Sequence, residues 1–219
     1  MRDVNKVFCL GLPRTATSSL AQALEKHGIS TIHFPFALYD EGLEAPVVTE
    51  HTAFVDTPIP LLYKELDARW PDAKFILTLR DKESWLESMK WLREEGGKIW
   101  QRRPVYDEYN REFFGTTGFD ADRLSEVYEA HHAEIRSYFS DREEDLLAID
   151  VISSSDTQAL VDFLKIDELP IPWPQTNEAR KPTALQRLAY QFEKRHFMRA
   201  GTALRMVNNG LQRRFGNRP

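Results

Sequence analysis

The chain has 219 residues, of which 42% are hydrophobic and 29% are charged, which suits one α/β domain with a substantial core and excludes a disordered chain. No apolar run approaches the roughly 18 residues of a transmembrane helix, so a membrane-spanning protein is excluded as well. The net charge of −5 is uneven, because residues 178–219 carry 10 Lys and Arg against 2 Asp and Glu, whereas residues 1–177 carry 19 against 32.

An apolar run at residues 6–10 predicts a buried first strand. Because only a few residues precede it, we expect no signal peptide. Cys9 lies in this strand and is the only cysteine, so no intrachain disulfide can form and a buried, inert thiol is expected. We therefore expect a reducing, cytoplasmic location.

Gly11 and Pro13 end this strand, and a hydroxyl-rich segment then opens a helix. The backbone N–H groups and the dipole at a helix start form an anion site, and the planar guanidinium of Arg14 suits a phosphate or a sulfate. The neutral donors of this segment are the hydroxyl groups of Thr15, Thr17, Ser18 and Ser19. Helix capping alone explains Thr and Ser here but does not require the arginine. The segment therefore predicts a loop that binds a phosphate-like group.

This loop is not a Walker A motif, which requires G-x-x-x-x-G-K-[ST]. Ala16 stands where the second glycine would be, Thr17 stands where the lysine would be, and the loop contains no lysine. The pattern argues against an ordinary ATPase or GTPase.

Strands and helices alternate along the rest of the chain, which predicts a parallel sheet with helices on both faces. The strands are expected at about 6–10, 30–34, 52–56, 74–79 and 146–150. The helices are expected at about 18–27, 58–69, 82–95, 122–139 and 155–165, the last beginning with a capping box at residues 155–158. The glycine-rich and aromatic stretch 96–121 is interpreted as an insertion or lid over the site, with loosely packed helix as the alternative.

The strand at 74–79 ends at Arg80, and Ser88 lies two turns into the helix that follows. Ligands bind at the carboxyl ends of parallel strands, so both residues should lie at the same edge as the first loop. The alternatives are an ion pair of Arg80 with Asp81 or Glu83, and a solvated Ser88.

Together the two stretches resemble the sulfotransferase superfamily, specifically its small single-domain members. In that family a G-x-P-R-T-G-T-x-S-L loop binds the 5′-phosphosulfate of 3′-phosphoadenosine 5′-phosphosulfate (PAPS). An Arg at the end of a later strand, with a Ser eight residues on, binds the 3′-phosphate. The resemblance continues through residues 54–63, 70–80 and 128–131 and covers most of residues 1–177.

The resemblance implies a P-loop-type, three-layer α/β/α domain over residues 1–177. It implies a metal-independent, in-line transfer of a sulfuryl group from PAPS to a hydroxyl or amine of a small-molecule, glycan or lipid acceptor, leaving 3′-phosphoadenosine 5′-phosphate (PAP). The implied cofactor-binding residues are Pro13, Arg14, Thr15, Ala16, Thr17, Ser18, Ser19, Arg80 and Ser88. Ala16 replaces the usual glycine of the family and is strained if its φ is positive. The alternatives are a P-loop small-molecule kinase and a non-catalytic member that binds nucleotide or membrane.

Catalysis needs a stabiliser of the leaving phosphate and a general base. Arg14 and the amides of residues 14–19 are the expected stabilisers. Asp56, at a strand end on the same edge, is the candidate base, and we expect the like charge of bound phosphosulfate and partial desolvation to raise its pKa. His33 is the main rival, and the alternative for Asp56 is an Asx-turn or an N-cap for the helix that starts at Pro58.

The basic segment 178–219 predicts a long C-terminal helix that begins near Pro182. It is interpreted as a membrane-surface helix, as a strut that lends an arginine to the cofactor, or as a packed helix with a solvated basic face. Nucleic-acid binding is not expected, because the tail is short and the rest of the chain is acidic.

Overall fold

A five-stranded parallel sheet forms the centre of the protein. The structure is a computed structural model that describes residues 6–96 and 104–175. The strands are β1 (Val7–Cys9), β2 (Thr31–His33), β3 (Ala53–Val55), β4 (Lys74–Thr78) and β5 (Leu146–Ile149). Their order in the sheet is β2-β3-β1-β4-β5, and every pairing is parallel. The predicted strands and the parallel sheet are confirmed.

Helices connect the strands. The helices that the sequence predicts are α1 (Thr17–Lys26), α4 (Ile59–Arg69), α5 (Lys82–Trp91), α7 (Ala121–Tyr138) and α8 (Gln158–Leu164). The short helices α2 (Ala37–Asp40) and α3 (Val47–Glu50) were not predicted, and a π-helical turn, Leu92–Gly96, extends α5. Helix α6 (Pro104–Phe114) occupies the middle of the stretch that is interpreted as an insertion.

Apolar side chains of β1 alternate between the two faces of the sheet, as the period of a strand requires. Val7 and Cys9 pack with residues of α1 and α8, whereas Phe8 and Leu10 pack with residues of α4 and α7. Helices thus cover both faces and give the expected three-layer α/β/α arrangement. Cys9 is buried, as the sequence predicts, and burial raises the pKa of its thiol to about 11.

The sheet has a topological switch point between β1 and β4. The connection after β1 leads to β2 on one side of the sheet, and the connection after β4 leads to β5 on the other. A crevice opens where neighbouring connections diverge in this way, and ligands of such sheets bind there. The loop after β1 carries Gly11 to Ala16, and Arg80 follows β4, so the fold brings both predicted anion-binding segments to this crevice.

The predicted capping box at residues 155–158 is wrong. Helix α8 begins at Gln158, and its N-cap residue, Thr157, makes no side-chain cap hydrogen bond. The Thr157 hydroxyl instead bonds His27 Nε2 at 3.0 Å and accepts from the amide of Ile171 at 2.9 Å. The predicted C-terminal helix lies outside the described residues. Within residues 6–96 and 104–175, no helix combines the length and the apolar character needed to cross a membrane.

Candidate active site

The loop after β1 is anchored by two buried threonines. Thr15 Oγ1 donates to the carbonyl of Leu12 at 2.7 Å and lies 2.6 Å from Thr78 Oγ1 at the end of β4. A Cβ atom at Gly11 would lie only 1.7 Å from Thr78 Oγ1, so only glycine fits here. Thr15 is fully buried, and the predicted role of its hydroxyl as an anion donor is therefore wrong: this hydroxyl holds the loop in shape.

Two loop residues have left-handed backbone conformations. Arg14 has φ 74° and Ala16 has φ 66° and ψ 27°. Residues with a Cβ atom rarely adopt this region, because the Cβ crowds the neighbouring carbonyl. The strain that the sequence predicts at Ala16 is thus present, since this position requires the geometry that glycine adopts at no steric cost.

Only some of the loop amides can face an anion. Of the predicted set at residues 14–19, the amide of Thr15 donates to Leu12 at 3.2 Å and that of Ser19 donates to Ala16 at 3.0 Å, so for these two the prediction is wrong. The three residues between Thr15 and Ser19 stand at the start of α1, where N–H groups have no acceptor within the helix. Their amides, together with Arg14, remain the candidate anion donors.

We expect Ala16→Gly to raise the free energy of unfolding by up to about 1 kcal/mol, because relief of the left-handed penalty, about 1–2 kcal/mol, exceeds the extra chain entropy that glycine loses, about 0.5–1 kcal/mol. Affinity for PAP should be retained or improved. Urea unfolding and a calorimetric titration measure the two quantities. Ala130→Gly on the exposed face of α7 is the control and should lose about 1 kcal/mol. A comparable loss at position 16 would contradict the strained geometry.

Arg14, Arg80 and Ser88 come together at the crevice. Arg14 Nε donates to Ser88 Oγ at 2.8 Å, and Arg80 donates through Nη1 to the carbonyl of Arg14 at 2.9 Å and through Nε to Ser84 Oγ at 2.8 Å. Among the described residues, these bonds go to hydroxyl and carbonyl oxygens rather than to carboxylates. Asp81 instead caps α5 by accepting from the Ser84 amide, so the alternative of an Arg80–Asp81 ion pair is wrong.

The two guanidinium groups repel each other. Burial, followed by the nearby positive charge of Arg80, lowers the pKa of Arg14, and the negative charge of Asp56 offsets this only in part. A bound anion would relieve this repulsion and satisfy the donors of both side chains. The crevice therefore has the charge and the donor set of a site for a phosphate or sulfate group.

The two candidate bases lie in one cluster. His33 Nε2 is 3.3 Å from Asp56 Oδ2, and the same carboxylate oxygen accepts from Thr17 Oγ1 at 2.5 Å. The hydroxyl of Ser18 also lies 3.4 Å from His33 Nε2, and the amide of Thr57 donates to Asp56 Oδ1 at 2.6 Å. The His33 side chain is 38% exposed and that of Asp56 is 10% exposed, so His33 is the member that reaches the surface.

The raised pKa that is expected for Asp56 beside bound phosphosulfate stays a prediction, and in the protein alone this pKa is lowered. Burial alone would raise this pKa, but the hydrogen bond and charge of His33, with the donors Thr17 and Thr57, outweigh it and lower the pKa. For His33, burial opposes protonation, but Asp56 outweighs it and raises the imidazole pKa. The alternative of an N-cap is wrong, because the N-cap residue of α4 is Pro58 and no side chain caps this helix.

An aromatic face adjoins His33 in the chain and was not predicted. Phe34 has φ 66° and is 38% exposed. Its ring stacks on Phe36 at 5.4 Å and meets the edge of Tyr106 from α6 at 5.4 Å. The dense aromatic residues of the stretch 96–121 were the available signal, but the sequence does not indicate which of them reach the end of β2.

Fold and site together define a P-loop-type α/β protein with an anion crevice at the end of its first strand. A family model described as "Sulfotransferase domain" matches residues 6–181, and the chain belongs to this family. The predicted resemblance is thereby confirmed. Among the described residues, no group of three or more His, Cys, Asp or Glu is arranged to hold a metal ion.

A curated relative matches part of the chain. The chain is 33% identical over 108 residues to the "Ava biosynthesis cluster protein M" of Aspergillus versicolor. The match covers 39% of this chain and 42% of the relative. The chain thus spans less than half the length of this relative.

Proposed function

We propose that the protein is a sulfotransferase that moves a sulfuryl group from PAPS to a hydroxyl or amine of an acceptor. The observation that carries the proposal is the convergence of Arg14 and Arg80, two like charges without carboxylate partners among the described residues, on the start of α1. This arrangement suits a ligand with two anionic groups. The missing Walker lysine disfavours ATP as that ligand.

On the donor side, Arg14 and the amides of Ala16, Thr17 and Ser18 would hold the 5′-phosphosulfate, and Arg80 with Ser88 would hold the 3′-phosphate. PAPS, when bound, supplies the sulfuryl group and a phosphate leaving group. Arg14 neutralises the negative charge that develops in the crevice, and the amides at the start of α1 add fixed dipoles of the same sign. Neither contribution requires reorganisation during the reaction.

On the acceptor side, His33 takes the proton and Asp56 holds the ring. With Nε2–H directed to Asp56, the neutral imidazole carries its lone pair on Nδ1, which is the atom that accepts the proton of the acceptor. The carboxylate then stabilises the imidazolium, which is the reason that it raises the pKa of His33. The exposed face formed by Phe34 and Tyr106 favours a small-molecule acceptor whose hydroxyl or amine is attached to an apolar or aromatic body.

Calorimetry on the full chain tests the proposal. We expect PAP to bind more tightly than ATP, with or without magnesium, and PAPS to support sulfuryl transfer to an aromatic hydroxyl compound. Tighter, magnesium-dependent binding of ATP would replace the proposal with a small-molecule kinase. Binding of PAP without transfer to any acceptor would favour a non-catalytic nucleotide-binding member of the family.

Arg80→Ala is expected to weaken PAP binding by about 1.5–3 kcal/mol, the range for hydrogen bonds to charged groups. Binding of adenosine 5′-phosphate (AMP), which lacks the 3′-phosphate, should barely change. Calorimetric titration of both ligands measures the difference. Arg69→Ala, which removes an exposed arginine at the far end of α4, is the control and should affect neither ligand. Equal losses for PAP and AMP would show that Arg80 does not contact the 3′-phosphate.

A further inference from the structure

Side chains of α5 and α7 bind backbone carbonyl groups in the two anion-binding segments. Trp85 Nε1 on α5 donates to the carbonyl of Pro13 at 2.8 Å. On α7, the hydroxyl of Tyr128 donates to the carbonyl of Arg80, and His131 Nε2 lies 2.8 Å from the carbonyl oxygen of Leu10. These residues do not belong to the site described above, although the resemblance at residues 128–131 includes two of them.

The rings of Trp85 and His131 lie inside the protein and that of Tyr128 is half-buried, so the carbonyl groups that they bind point away from solvent. Trp85 is fully buried, and His131 is 6% exposed. Burial lowers the pKa of His131 to about 4, so its ring is neutral near neutral pH, and the nitrogen that faces Leu10 O must be the protonated one. The partly negative oxygens of Leu10, Pro13 and Arg80 are thereby held away from the crevice, where they would repel an anion.

An inward carbonyl also directs the next amide outward. In a trans peptide the C=O of one residue and the N–H of the next point in opposite directions. Because Trp85 holds the Pro13 carbonyl, the N–H of Arg14 faces the crevice side of the loop. Because Tyr128 holds the Arg80 carbonyl, the N–H of Asp81 faces the same way. The hydrogen bonds from α5 and α7 thus determine that, in both segments, the bonded carbonyl group points away from the crevice and the next amide points toward it.

We propose that Tyr128, together with Trp85 and His131, positions the anion-binding segments for the donor nucleotide. Tyr128 and His131 are three residues apart and therefore lie on one face of α7. The ring of Tyr128 also packs on that of Trp85, with centroids 5.0 Å apart, so the three donors form one connected support. This inference rests on the proposed function, since it concerns the site that would hold PAPS.

Tyr128→Phe tests the inference with the smallest change, because it removes one hydroxyl and keeps the ring packing. We expect PAP to bind about 3- to 10-fold more weakly, which is the range that one neutral hydrogen bond supplies. AMP should bind nearly as in the wild type, because Tyr128 supports the segment of Arg80 and not the loop of Arg14. The measured quantity is the ratio of the PAP and AMP dissociation constants, obtained by calorimetry on the full chain.

Tyr138→Phe is the matched control. Tyr138 lies on the same helix, is also half-buried and donates its hydroxyl to Asp67 at 2.6 Å, among the contacts of α4 rather than at the crevice. Tyr138→Phe should leave the ratio of the PAP and AMP dissociation constants unchanged, even if it lowers the free energy of unfolding. If wild-type protein does not bind PAP, the proposed function fails. If wild-type protein binds PAP and Tyr128→Phe either matches Tyr138→Phe or loses both ligands equally, the positioning role fails while the function stands.

Discussion

Gly11→Ala is expected to lower the free energy of unfolding by about 3 kcal/mol or more, at the upper end of the usual cost of overpacking. The added Cβ would lie 1.7 Å from Thr78 Oγ1 and 2.8 Å from Thr15 Oγ1. Both threonines are fully buried and bonded to each other, so neither side chain moves without losing its partner. The loop must then shift and carry Arg14 with it. Urea unfolding gives the stability, and PAP titration of the folded fraction gives the affinity.

A second substitution isolates the contact. Thr78→Ala removes the closest atom, so the double variant with Gly11→Ala should be more stable than the sum of the single effects predicts, with a coupling of at least about 1 kcal/mol. Gly118→Ala is the control, because a Cβ there meets nothing within 4 Å, and its stability should stay within about 0.5 kcal/mol of the wild type. Additive effects of the two substitutions would show that the clash with Thr78 is not the cause of the stability lost in Gly11→Ala.

The sequence predicts the positions of the strands and of the anion crevice because both depend on local patterns. Each strand is a short apolar run followed by a polar or turn residue, and parallel order then places every carboxyl end at one edge. Arg14, Arg80 and Ser88 meet for this reason, although 74 residues separate Arg14 from Ser88. Helices α2 and α3 were missed because four residues are too few to show a helical period.

Features that depend on a distant partner could not be predicted in the same way. The residues at 155–158 have a capping-box sequence, but Asp156 forms a β-bridge with Pro172 and the amide of Thr157 donates to the carbonyl of Ile171, so α8 begins only at Gln158. The pKa of Asp56 is lowered rather than raised because pairing of β2 with β3 brings His33 to it. Position 16, in contrast, could be predicted from the sequence alone. Alanine stands there in place of the glycine of the family, and a glycine at this place indicates a positive φ.

Asp56→Asn is expected to lower the turnover of sulfuryl transfer by about 10²–10⁴, the usual contribution of a positioned acid–base group. Asparagine keeps the size of the side chain and one oxygen, which can accept from either Thr17 or Thr57 but not from both, because these two donors bond different oxygens of the carboxylate. It removes the negative charge that lies 3.3 Å from His33 Nε2 and stabilises the imidazolium. Affinity for PAP should be unchanged or slightly higher, because the crevice loses a negative charge. Steady-state kinetics and calorimetry separate the two effects.

The pH dependence of kcat/KM distinguishes a positioning role of Asp56 from a direct one. A general base acts in its unprotonated form, so activity rises as the pH passes its pKa. Asp56 raises the pKa of His33, and the acidic limb of the wild-type profile should therefore lie above the ordinary imidazole value of 6.5. In Asp56→Asn the burial of the ring is opposed only by the charge of Glu25, and the limb should move to lower pH. A merely structural defect would lower the rate without moving the limb.

His33→Gln completes the assignment and should also cost about 10²–10⁴ in turnover, with loss of the acidic limb. His51→Gln is the matched control, because His51 follows α3 and its ring bonds the carbonyl of Val47 within that segment; its kinetics should equal the wild type. The opposite result has an equally clear meaning. If His33→Gln keeps the wild-type rate while Asp56→Asn loses it, Asp56 itself takes the proton, and the acidic limb of the wild-type profile then follows the lowered pKa of Asp56 rather than that of an imidazole.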